Sequence, residues 1–113
     1  MIAEIVGLPG YESQVLALLN EEERLAMEFF IASAAEDHPV IPGTGGFRKA
    51  RWARCCQGKS GGFRVVYFFL AEPGRVYMTA IYAKSRKDTL SAADQKVLAK
   101  LAAQIKKASK RGG

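Results

Sequence analysis

At 113 residues, 49% apolar and 25% charged, the chain has the composition of one soluble globular domain and too few residues for a second hydrophobic core. Its longest uninterrupted apolar run, Val65 to Ala71, falls far short of a bilayer span, and the first twenty residues hold Glu4 and Glu12 but no Lys or Arg, which argues against a membrane segment or a secretory signal. The net charge of +6 is divided unevenly: residues 1–37 carry eight acids against Arg24 alone, and residues 38–113 carry sixteen bases against Glu72, Asp88 and Asp94.

In chain order, Ile2 to Leu8 is a short apolar stretch stopped by Pro9-Gly10, which predicts an edge strand leading into a turn, or a loose N-terminus. Val15, Leu16, Leu18 and Leu19 predict a helix over Tyr11–Leu19. Asn20 with Glu23 three positions on has the pattern of a capping box, and Glu21 to Glu23 fill a first turn where the helix dipole favours anions. A second helix therefore begins there and runs no further than His38-Pro39. Its expected buried stripe is Leu25, Phe29 and Ala32, widened by Met27, Phe30, Ile31 and Ala34.

Val40-Ile-Pro-Gly-Thr-Gly-Gly46 reads as a loop, after which the period changes to two. Phe47 to Ala53 is a predicted strand with Ala50 and Trp52 on one face, Lys49 and Arg51 on the other. Arg54 to Gly62 is a basic connection. Phe63 to Leu70 is apolar on both faces, the mark of a central strand covered on both sides. Glu72-Pro73-Gly74-Arg75 predicts a type II turn, so Val76 to Ala83 returns antiparallel. Ser91, with Asp94 three residues on, caps a last helix with an apolar stripe of Val97, Leu98, Leu101 and Ile105, and Lys110 to Gly113 are expected to fray.

Two helices, a run of strands and a closing helix predict an α+β domain, a small antiparallel or mixed sheet whose helices cover one face. Cationic side chains are then expected on the other face, Lys49 and Arg51 among them if Trp52 faces the helices.

Between Asp37 and Glu72 stand six bases (Arg48, Lys49, Arg51, Arg54, Lys59, Arg64) and no acid. Such a block repels itself and suits an anionic partner, most simply a nucleic acid backbone, although a solvated basic face is the plainer alternative. Gln57-Gly58-Lys59-Ser60 imitates the end of a phosphate-binding loop, but the first glycine of that loop would fall on Ala53 and a β-rich run follows in place of a helix. Lys59 is better read as a point charge on a loop. A metal site has little support from one histidine, His38, and two adjacent cysteines, Cys55 and Cys56, which read as reduced thiols of a cytosolic protein. No cofactor is expected.

Lys, Arg and Tyr on neighbouring strands can perform one reaction without metal or histidine. Cleaving RNA by its own 2′-hydroxyl requires proton removal there, stabilisation of charge on the phosphorane, and proton donation to the departing 5′ oxygen. Guanidinium groups suit the second task, and a lysine crowded by cations can act as acid or base near neutrality. On the residues alone, phosphate binding by Arg64 and Lys49 without catalysis is an equal alternative, as is a core role for Tyr82.

Val40-Ile-Pro-Gly-Thr-Gly-Gly-Phe-Arg-Lys-Ala-Arg-Trp-Ala53, Gly58-Lys-Ser-Gly-Gly-Phe-Arg-Val-Val-Tyr67 and Ile81-Tyr-Ala-Lys84 with Asp88-Thr-Leu-Ser91 resemble the HigB-like branch of the RelE/ParE superfamily of bacterial type II toxins. The resemblance implies a cytoplasmic, ribosome-dependent mRNA endonuclease of RelE-like fold, neutralised by a HigA-like antitoxin of the helix-turn-helix type. Its partners would be the ribosome and mRNA, with no membrane. Carried over to this chain, the expected catalytic residues are Arg64, Lys49, Arg51, Lys84 and Tyr82, with Arg48, Arg54 and Lys59 binding RNA. The rival expectation is a toxin that is no nuclease, such as a ParE-like gyrase inhibitor or a non-catalytic relative that binds nucleic acid and antitoxin.

Overall fold

The computed structural model describes residues 3–53, 62–83 and 90–111. The elements follow the order β1 (Glu4–Gly7), α1 (Pro9–Leu18), α2 (Glu21–Ser33), β2 (Phe47–Trp52), β3 (Phe63–Leu70), β4 (Arg75–Ala83) and α3 (Ala92–Arg111). The four strands form a mixed sheet in the order β1-β4-β3-β2, antiparallel except where β1 runs parallel to β4. The expected α+β architecture is present, with its helices distributed differently.

Proline sets the start of α1. Pro9, read from sequence as part of a turn, is the first helical residue, where its missing N–H costs nothing and its fixed φ already suits a helix. Asn20 caps α2 reciprocally with Glu23, each side chain accepting from the other's backbone N–H at 2.7 and 3.0 Å, an arrangement worth about 1 kcal/mol. The two helices are tied by Arg24, which binds Glu12 at 2.8 Å and Glu28 at 2.9 Å. Tyr11 also donates to Glu28, and burial together with that carboxylate pushes the phenol pKa well above its ordinary value. The lone base of the first 37 residues is thus held by its own helices.

The buried stripe of α2 is Met27, Ile31 and Ala32; Leu25 and Phe29, expected inside, are each 62% exposed. The correction is one of helical phase, because Arg24 and Glu28 occupy the flank that faces α1 and turn Leu25 and Phe29 outward.

Two cores lie on opposite faces of the sheet. Tyr11, Val15, Met27 and Ile31 of α1 and α2 pack on Val65, Tyr67, Met78 and Ile81. Leu98, Ala102 and Ile105 of α3 pack on Phe47, Val66 and Phe68. The expectation that all helices share one face is therefore overturned: a β3 apolar on both sides needs cover on both, and α3 supplies the second. Val97, assigned from sequence to the buried stripe of α3, is 64% exposed; Ala102 takes that place.

The β3–β4 hairpin forms as expected, but its turn is different. Leu70 pairs with Arg75, the Glu72–Pro73 peptide is cis, and the Gly74 N–H donates to the Leu70 carbonyl, so the turn is not the type II turn read over residues 72–75. A register shift opposite Val66 and Tyr67 leaves Thr79 as an extra residue in β4. The bulge reverses the alternation, so Tyr77 shares a face with Ala80 and Tyr82 despite their odd spacing.

The glycine-rich loop seats α3. Thr44, fully buried, donates to the Ile41 carbonyl and accepts from the Phe47 N–H. Gly45 has φ +75°, and a Cβ there would stand 3.1 Å from the Ala102 methyl. Lys106 closes the contact by donating to the Gly45 carbonyl at 3.2 Å and lying over the Phe68 ring.

His38, read as a turn residue, packs its ring against Phe30 at 5.3 Å and edge-on to Tyr67 at 6.2 Å, while Tyr67 donates to the Ala35 carbonyl and burial pushes its pKa to about 12. Burial lowers the His38 pKa below 6.5; Arg48 acts in the same direction and Asp37 opposes it. The unfolded chain then binds a proton that the folded chain resists, so stability is present above about pH 6.5 and is lost as pH falls below it. Urea melts between about pH 7.5 and about pH 5.5 are expected to show falling stability, and His38→Phe, which keeps the ring contacts, flattens that fall. An equally steep fall in His38→Phe contradicts this assignment.

Candidate functional site

Pairing aligns three of the expected residues across the sheet. Arg51 of β2 is opposite Arg64 of β3, and Arg64 is opposite Tyr82 of β4. Directly paired residues point to the same face with neighbouring Cβ atoms about 5 Å apart, so the row crosses three strands in about 10 Å. Lys49, two residues before Arg51 and paired with Val66, projects from that face too. The face is the one that carries α3, as Val66, Ala80 and Tyr82 show by packing into its core.

Exposure grades along the row. Arg51 at the sheet edge is exposed, Lys49 and Tyr82 are half-buried, and Arg64 in the centre is 5% exposed. A Cβ on Gly62 would lie 3.7 Å from a guanidinium nitrogen of Arg64, so the glycine leaves the arginine close to the backbone of its own strand. The central strand therefore presents a nearly buried guanidinium, with Arg51 and Lys49 of β2 adding charge on one side and the Tyr82 phenol on the other. Paired guanidinium forks match the oxygens of a phosphodiester, so the row suits an anionic ligand of that kind.

Three N-terminal acids are engaged elsewhere: Glu12 and Glu28 of the helices with Arg24, and Glu4 of β1 with Arg75 at 3.1 Å. Arg75 in turn donates to Tyr77, at the far end of the face from the row. Beyond Tyr82 the sheet opens into a cavity of about 630 Å3, bounded among the described residues by Gln14 and Leu18 of α1, Ile81 and Ala83 of β4, and Leu90 and Asp94 at the start of α3. Gln14 reaches the sheet there, accepting from the Ile81 N–H at 3.0 Å.

Arg48 does not join the row. Alternation sends it to the opposite face, where it donates to the carbonyls of Glu36 and His38 at 3.2 and 2.7 Å and pins the chain leaving α2. Arg48, expected to bind RNA, therefore lies on the other face of the sheet from Lys49 and Arg51. Arg54, Lys59 and Lys84 lie outside the described residues, as do Cys55, Cys56 and the Gly58-Lys59-Ser60 stretch. The bulge at Thr79 and the position of α3 beside the row were missed from sequence. The bulge has no signal in a run of β-formers, whereas the double-sided apolarity of β3 already called for α3.

No helix among the described residues is long and apolar enough to cross a membrane. The family model described as the RelE toxin of the RelE/RelB toxin–antitoxin system matches residues 42–112, from the glycine-rich loop through α3, and so takes in the whole cationic row.

Proposed function

Because the chain belongs to the RelE toxin family and is the toxin of a toxin–antitoxin pair, we propose that it is a metal-independent, ribosome-dependent mRNA endonuclease of the HigB-like branch, held inactive by a helix-turn-helix antitoxin in the cytoplasm. The observation that carries this reading is the register Arg51–Arg64–Tyr82 with Lys49 beside it, which gathers two guanidinium groups, an ammonium group and a phenol on one face. Arg64, fixed in the middle, stabilises the charge that develops on the scissile phosphate. Lys49 and Arg51 position that phosphate, and Tyr82 and Lys84 are the candidate acid and base. A solvated basic face carries its arginines at the surface, whereas Arg64 is 5% exposed in the central strand.

Incubating the purified protein with translating ribosomes and mapping mRNA 3′ ends tests the activity. New ends that need both ribosome and protein are expected. Intact message, or gyrase-linked DNA breaks without RNA cleavage, overturns the reading in favour of a toxin that is not a nuclease.

A further inference from the structure

We propose that the outer face of α3 is a second RNA-binding surface, which grips the phosphate backbone of a double-stranded ribosomal RNA segment while the strand row engages the message. The proposal rests on the nuclease reading for its choice of partner. Lys96, Lys100, Lys107 and Lys110 recur at intervals of four, seven and three residues, with Ala103 between them, and all five positions are exposed. Those intervals keep one face of a helix, so the four ammonium groups form a stripe about 21 Å long. After Asp94 the helix contains no acid, so no carboxylate one turn away neutralises the stripe. Helix formation is weakened by such like-charged neighbours, and a polyanion laid along them removes that cost.

Tertiary placement gives the stripe its direction. α3 lies on the same side of the sheet as Lys49, Arg51 and Arg64, and its first turns line a cavity together with Val66, Ala80 and Tyr82, so the lysines begin at the end that holds the row. Lys106 and the glycine loop fix the helix nearer its other end, over Phe68. On the opposite side, α2 exposes Glu21 and Glu22. The molecule is thereby charged in opposite senses on its two sides, and a polyanion attracts it in one orientation, α3 and row inward.

Binding to a 20-base-pair RNA duplex and pelleting with ribosomes, each followed between about 50 and about 200 mM salt, test the stripe. The variant carrying Lys96→Gln, Lys100→Gln, Lys107→Gln and Lys110→Gln is expected to lower the slope of log affinity against log salt by about 3 and to bind about 10²-fold more weakly near physiological salt. Lys→Arg at the same four positions retains charge and is expected to retain the slope. Gln and Lys have similar helix propensities, so a melt close to wild type accompanies the loss. A wild-type slope in the glutamine variant overturns the proposal, as does an equal loss in the arginine variant. Message cutting by wild-type protein is scored separately, so failure of the nuclease reading is seen without reference to the α3 variants.

Discussion

Replacing Arg64 by alanine is expected to lower ribosome-dependent mRNA cutting by about 10²–10³-fold, the usual cost of removing one preorganised group that stabilises developing charge. The effect follows from position. Arg64 stands in the central strand, flanked through the register by Arg51 and Tyr82 and almost closed to solvent, so no other described side chain can move into its place. Arg51→Ala, at the exposed edge, is expected to cost less, because a surface cation in water is worth less to a bound phosphate than one held in a partly desolvated site. Truncating a buried arginine also disturbs packing, so the comparison includes Arg64→Lys, which preserves bulk and charge but cannot offer two parallel N–H donors. That variant is expected to fold and to recover only part of the rate. Wild-type cutting by a folded Arg64→Ala protein contradicts the assignment of Arg64 to the scissile phosphate.

Gly45→Ala is expected to destabilise the fold by about 2–4 kcal/mol, the sum of forcing a side chain into the left-handed region and overpacking a contact that has no slack. The added methyl would meet the Ala102 methyl at 3.1 Å, with the Ala99 backbone at 3.7 Å behind it. Neither neighbour can rotate away: one has no side chain beyond Cβ, the other is helix backbone. Urea melts measure the loss, and a mutant of wild-type stability contradicts it. The Ile-Pro-Gly-Thr-Gly-Gly stretch, which carried much of the family likeness, thereby acquires a structural explanation. It is the surface on which α3 rests, with Thr44 bracing the loop from inside and Lys106 fastening it from outside.

Local chemistry made several features legible in advance. The reciprocal cap of Asn20 and Glu23 and the matching cap of Ser91 and Asp94, whose side chains accept from each other's backbone N–H, depend on residues three apart and formed as read. Strict alternation along β2 put Lys49 and Arg51 on one face for the same reason. Phase errors arose where two readings of a helix had similar apolar content: in α2, Leu25 and Phe29 against Met27 and Ile31, settled by the ion pairs of Arg24 with α1.

By itself the sequence determined which segments become helices and strands, that the N-terminal third is acidic and the remainder basic, and which basic residues alternate onto a common strand face. Those properties reside in neighbours along the chain, whose backbone geometry is set by sterics and hydrogen bonds within a turn or two. Only the tertiary structure decided that Arg51, Arg64 and Tyr82 stand abreast, that Arg48 faces away, that Thr79 bulges and brings Tyr77 to the face of Tyr82, and that α3 covers the cationic side. Each of these depends on strand register or on which surface a helix buries. Such choices are made by the summed burial of residues far apart in the chain, and no local window contains that sum.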